Sequence, residues 1–147
     1  MRKPDHITID RVLLLYLLQL AEPFGLLNDV KLQQLAFLCE LQMFAKGLKG
    51  FHFEFFRYAY GAFSKDLDND LMSMRKKARV ENFSPSREAE DVIELFLEEV
   101  EKSKSETNAQ VLDILNAVVT NYAPQDTDKL SKSVETVSGL QLIMIVS

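Results

Sequence analysis

Residues 28–47 read NDVKLQQLAFLCELQMFAKG. Leu32, Leu35, Ala36, Cys39 and Met43 fall at helical spacing, and Phe37, Leu38, Leu41 and Phe44 widen that stripe. An apolar face this broad belongs to a helix packed on most of its circumference. Asn28 or Asp29 suits its cap and Gly47 its stop, so the stretch predicts a central helix over Val30–Lys46. Cys39 lies within the stripe, which predicts a buried, unreactive thiol.

Working outward, Asp10 is read as the cap of a nearly all-apolar helix over Arg11–Ala21, ended by Glu22-Pro23-Phe24-Gly25. On the other side, Gly50–Phe63 holds Phe51, Phe53, Phe55, Phe56, Tyr58, Tyr60 and Phe63, half of the chain's 10 Phe and 4 Tyr. Phe51, Phe53 and Phe55 alternate with His52 and Glu54, a strand pattern whose partner is sought at Arg79–Phe83. Ser64 caps a third helix, Lys65–Ala78, with acids early and bases late as the helix dipole favours. Ser84-Pro85 opens a fourth, to about Lys102. A fifth covers Glu106–Tyr122, and Pro124 separates it from a sixth over Asp126–Val137, ended by Gly139. The tail Leu140–Val146 reads either as a last strand or as the mark of a cut chain. Together these elements predict a mainly α, compact single domain over residues 1–147, with about six helices, a small β element near Phe51–Phe56, and a partly winged-helix-like order.

Composition narrows the function. With 147 residues the chain can bury a full core, so it needs no metal or disulfide to fold. Its single Cys excludes an internal disulfide and, with only His6 and His52 beside it, gives no zinc spacing. The polar start Met1–Asp10 has no signal-peptide pattern, and no apolar run is long enough to span a bilayer. A cytoplasmic protein with no membrane partner is the expectation. No Gly-rich phosphate loop and no nucleophile elbow occur. Cys39 sits on a core stripe, and His52, beside Glu54, reads as a surface or strand-edge residue. Asp66, Asp68 and Asp70, spaced by two, fan around a helix and read as N-terminal acids rather than metal ligands. No catalytic residue, cofactor or metal is therefore expected, and the chain is not read as an enzyme.

The net charge of -5 argues against a general attraction to nucleic acid. The charge is nevertheless uneven. Residues 46–79 carry eight Lys or Arg against four acids, and residues 83–106 carry three against eight. The aromatic stretch lies in the basic part and contains Arg57 between Phe56 and Tyr58. Aromatics with Arg are the residue types that dominate interface hot spots. This marks Phe56, Arg57, Tyr58, Tyr60, Gly61, Phe63, Ser64 and Lys65 as a candidate partner-binding segment. The run Arg75, Lys76, Lys77 and Arg79 is the alternative, a phosphate-contacting helix end.

Two of these segments also carry a family resemblance. Lys31-Leu32-Gln33-Gln34-Leu35 opens the central helix, and Tyr58-Ala59-Tyr60-Gly61-Ala62-Phe63-Ser64-Lys65-Asp66-Leu67 follows, then Leu71. Over about Asp10–Val80 the chain resembles the Panacea domain family, also described as SocA-like or YwgA-like. Its members have a Lys-Leu-Gln-Lys-Leu-like helix start and an aromatic-Gly-Pro-aromatic-Ser-x-x-Leu motif. Here Ala62 stands in place of that Pro, and Gln34 where Lys is frequent. The resemblance implies a non-enzymatic antitoxin that neutralises a partner protein, a toxin. A protein-binding module is thus the expected function, with a homodimer compatible with it. A winged-helix-like DNA-binding regulator is the alternative.

Overall fold

The computed structural model describes residues 2–25, 27–58 and 61–146, with side chains for all of these except Tyr58 and 137–146. Among these described residues, six α-helices and two small hairpins follow in the order α1 (Pro4–Ala21), α2 (Asp29–Ala45), β1 (Phe56–Tyr58), β2 (Gly61–Phe63), α3 (Lys65–Lys76), β3 (Val80–Glu81), β4 (Ser84–Pro85), α4 (Arg87–Ser103), α5 (Glu106–Tyr122) and α6 (Thr127–Val146). A 3-10 turn, Glu22–Phe24, follows α1. The fold is mainly α, as expected.

The centre is built from α1 and α2. α2 packs against α5, α6 and β2, and α1 against α3, α4, α5 and β4. Leu14, Leu17 and Leu18 of α1 share one core with Leu32, Leu35 and Cys39 of α2, which also takes in Leu115 and Val118. Cys39 is fully buried, and that burial pushes its thiol far up, out of the reactive range. Among the described residues, no helix is long and apolar enough to cross a membrane.

Side-chain caps set most helix starts. Asn28 accepts from the Lys31 N–H, Ser64 from Leu67, Ser86 from Ala89 and Ser105 from Asn108. Each such cap contributes ~1 kcal/mol. α2 stops where expected: Gly47, at φ 68, closes the last turn, and the Leu48 N–H reaches back to the Met43 carbonyl.

Five boundaries differ from the sequence reading. α1 starts at Pro4, whose ring suits a first helical turn, so Asp10 lies mid-helix and is no cap. The residues 51–55 form no strand. Their side chains alternate, with Phe51 and Phe53 buried, but two of their N–H groups go to carboxylates: His52 to Asp10 at 2.7 Å and Glu54 to Asp66 at 3.5 Å. Pairing starts only at Phe56, with β2 as partner. Val80–Glu81 pairs instead with Ser84–Pro85, so α4 opens two residues late, at Arg87. α3 ends at Lys76 because Ala78 turns left-handed at φ 58, with Arg79 N–H bonded to the Met74 carbonyl. α6 runs through Gly139 to Val146, and there is no final strand.

Candidate functional site

The β1–β2 hairpin carries most of the candidate partner-binding residues. Its register pairs Phe56 with Phe63, Arg57 with Ala62, and Tyr58 with Gly61. Its inner edge is locked to α2 by two buried glutamines. The Gln34 amide accepts from the Ala62 N–H at 3.0 Å and donates to the Ala62 carbonyl at 3.0 Å. The Gln33 amide does the same for Ser64, at 2.8 and 3.0 Å. Each side-chain amide thus replaces a neighbouring strand, matching one donor and one acceptor. Gln34 also donates to the Val30 carbonyl of its own helix at 3.2 Å.

This clamp explains Gly61. Its φ is 115, and a Cβ there would overlap the Gln34 side-chain amide. Both the positive φ and the close approach require glycine. Gly61→Val is expected to lower stability by ~1–3 kcal/mol. Chemical denaturation checks this, and an unchanged midpoint would count against the clamp.

The clamp also fixes which backbone groups face out. Because Ala62 spends its N–H and carbonyl on Gln34, Arg57 and Ala62 form the non-hydrogen-bonded pair of the ladder. The Arg57 N–H and carbonyl therefore point away from β2, along the outer edge of β1. On opposite faces of that strand, Phe56 is 51% exposed and the Arg57 side chain 78%. Arg57 meets Glu135 of α6 at 3.2 Å, an exposed ion pair worth less than ~1 kcal/mol and easily exchanged.

The remaining candidates divide. Lys65 is exposed and Phe63 half-buried. Ser64 is buried and engaged as the α3 cap. Tyr60 and the side chain of Tyr58 lie outside the described residues. In the alternative set, Arg75 donates to the Asn82 carbonyl at 2.7 Å and lies 4.8 Å over the Phe83 ring, so it staples α3 to the β3–β4 hairpin. Arg79 sits 3.9 Å from Glu88, and Lys76 and Lys77 are exposed.

A second polar cluster has no local signature in the sequence. Asp10 is 0% exposed and Asp70 1%. Asp10 accepts from the His52 backbone N–H, from Arg2 at 3.0 Å, and pairs with His52 Nδ1 at 2.9 Å. The His52 ring, 15% exposed, stacks on His6 at 4.0 Å between centroids, so it is no strand-edge residue. Asp70 of α3 holds Arg2, which precedes α1, and Arg11 of α1, and is no simple N-terminal acid. Nearby on α2, burial pushes the Glu40 carboxyl up to about 7, with Asp10 adding and Lys49 opposing.

Because the folded protein holds that proton more tightly than the unfolded chain, Glu40 costs stability as pH rises from the ordinary carboxylate range through 7. Glu40→Gln should therefore raise the melting temperature at pH 8 and leave it nearly unchanged at pH 4. A difference that does not grow with pH would contradict this origin.

Among the described residues, no group of three or more His, Cys, Asp and Glu could hold a metal ion. No protein-family model, no curated protein and no solved structure matches the chain. Lys31–Leu35 and Tyr58–Leu67 are the two segments quoted for the family resemblance expected from the sequence. In the structure those segments are in contact: the Lys31–Leu35 helix start supplies Gln33 and Gln34, which clamp Ala62 and Ser64 of the second segment.

Proposed function

We propose that this chain is a non-enzymatic protein-binding module, antitoxin-like, that neutralises or recruits a partner protein through the outer face of its β1–β2 hairpin. The observation that carries this reading is the asymmetry of the hairpin. One edge is clamped by Gln33 and Gln34, while along the other no backbone partner of Arg57 lies among the described residues, and exposed Phe56 and Arg57 flank it. A strand edge can receive an extended segment of a partner, with main-chain bonds giving affinity and flanking side chains giving selectivity. Because the clamp already holds the hairpin, little ordering cost falls on binding. The likeness to antitoxins supports a toxin as the partner, and the partner's active region would be covered sterically.

The test is a binding assay against the product of any adjacent toxin-like gene, with growth rescue as a second readout. Phe56→Asp and Arg57→Ala should each lose binding at least tenfold, which corresponds to ~1.4 kcal/mol or more, at nearly unchanged melting temperature. Normal binding by both variants would remove the hairpin as the site.

The alternative, a winged-helix-like DNA-binding regulator, draws on one observation: exposed Lys76 and Lys77 end α3 just before the small β3–β4 hairpin. Arg75 and Arg79 are already engaged within the protein, which weakens that basic patch. If wild type shifts duplex DNA with a steep salt dependence that Lys76→Ala and Lys77→Ala reduce, the regulator reading stands instead.

A further inference from the structure

Asp10 from α1 and Asp70 from α3 place two carboxylates, essentially without solvent access, on one cation. Buried anions this close are stable as charges only when a cation with matching hydrogen bonds fills the space between them. The group that fills it is the guanidinium of Arg2. One terminal nitrogen donates to Asp70 Oδ2 at 2.7 Å and to Asp10 Oδ2 at 3.0 Å, and the other donates to Asp70 Oδ1 at 3.1 Å. Asp66 lies 3.9 Å from its Nε, and its central carbon stands 5.5 Å over the Phe53 ring. A fork on a carboxylate, a second carboxylate and an aromatic face together suit a planar guanidinium and not a compact ammonium.

The walls of this pocket come from three parts of the fold: α1, α3 and the aromatic stretch before β1. The remaining acceptor positions are filled from within. Asp10 Oδ1 takes the backbone and ring nitrogens of His52, and Asp70 Oδ1 also takes Arg11 Nε at 3.2 Å. Asp10 and Asp70 therefore each keep a partner other than Arg2. Arg2, by contrast, precedes α1 and belongs to no helix, and its side chain retains 12% exposure. The carboxylates are carried by helices, and the guanidinium reaches them from the segment that precedes α1.

We propose that this pocket is a guanidinium-binding site held in cis by Arg2, and that it accepts an arginine side chain of a partner polypeptide when Arg2 withdraws. Exchange replaces one guanidinium by another, so the two buried carboxylates are never left without a cation. Arg2 acts as a tethered competitor that a partner's arginine must displace. The site is separate from the hairpin edge and does not depend on the reading of that edge.

The probe is N-acetyl-arginine amide, with N-acetyl-lysine amide as control. Arg2→Ala should melt below wild type. The arginine probe should raise its melting temperature saturably, and binding should be visible by titration calorimetry. The lysine probe should do neither. Wild type should bind the arginine probe at least ~10-fold more weakly, because the tethered Arg2 competes at high effective concentration. Arg2→Ala combined with Asp70→Asn should lose the response. If Arg2→Ala does not fold, Arg2→Lys, which keeps a charge without the fork, takes its place under the same criteria. Absence of an arginine-specific response, or an equal response with Asp70→Asn present, would overturn the proposal and leave Arg2 as a structural ion pair only.

Discussion

Asp10→Ala is expected to destabilise the protein by ~3–5 kcal/mol, the range for removing one partner from a buried charge cluster. Asp10 is fully buried within α1 and holds three groups at once: the Arg2 guanidinium, the His52 backbone N–H and the His52 ring. Truncation leaves the His52 N–H without its acceptor and Arg2 with one fewer anion. For a domain of this size the loss corresponds to roughly 10 °C in melting temperature. Asp10→Asn should cost less, because the amide oxygen still accepts from the His52 N–H while the charge pairing is lost. Thermal and urea unfolding of the two variants would check the order. A cost below ~1 kcal/mol for Asp10→Ala would show that the cluster contributes little.

Gln34→Ala carries the second large effect. It removes the donor and the acceptor that satisfy the carbonyl and N–H of Ala62, both in buried surroundings. Each orphaned group costs ~1–3 kcal/mol, so the sum is expected at ~2–4 kcal/mol once local relaxation is allowed. Gln34→Glu is a sharper version. A carboxylate can still accept from the Ala62 N–H, but it faces the Ala62 and Val30 carbonyls with no proton to donate and brings a charge into the interior. It should destabilise at least as much as Gln34→Ala at neutral pH and recover at low pH, where the carboxyl is protonated. If Gln34→Glu were as stable as wild type at pH 7, the amide would not hold the hairpin as its geometry indicates.

The helical frame was legible because its signals are local. The apolar spacing of Leu32, Leu35, Ala36, Cys39 and Met43 marks α2, and Asn28, Ser64 and Gly47 mark caps and a stop that the structure uses in those roles. α5 is bounded by the same kind of signal. What failed was whatever depended on a distant partner. Asp10 has a capping side chain, and only the fold reveals that its partners are Arg2 and His52. Phe51, Phe53 and Phe55 alternate as a strand does, but side-chain carboxylates from α1 and α3 receive the N–H groups that a neighbouring strand would have taken. Gly139 suggests a stop, yet a single glycine within a helix costs only ~1 kcal/mol, and α6 continues through it.

The candidate site was legible in part for the same reason. Phe56 and Arg57 stand out by residue type, and both are exposed on β1. Spacing along the chain does not reveal the clamp, since Gln33 and Gln34 stand 31 and 28 residues from the backbone groups they hold. The signal present in the sequence is the pair of adjacent glutamines within an otherwise apolar stripe. Buried amides of this kind need partners, and the glycine followed by Ala62 and Ser64 offers them.

Amide hydrogen exchange with and without the partner addresses the central claim most directly. The Arg57 N–H points along the open edge of β1, so it should exchange quickly in the free protein and slow by at least ~10-fold in the complex. The amide of Ala62, already bonded to Gln34, should change little. Protection at β1 would bear out the hairpin edge as the binding surface. Protection confined to the end of α3 around Lys76 and Lys77, with the Arg57 amide unchanged, would contradict it.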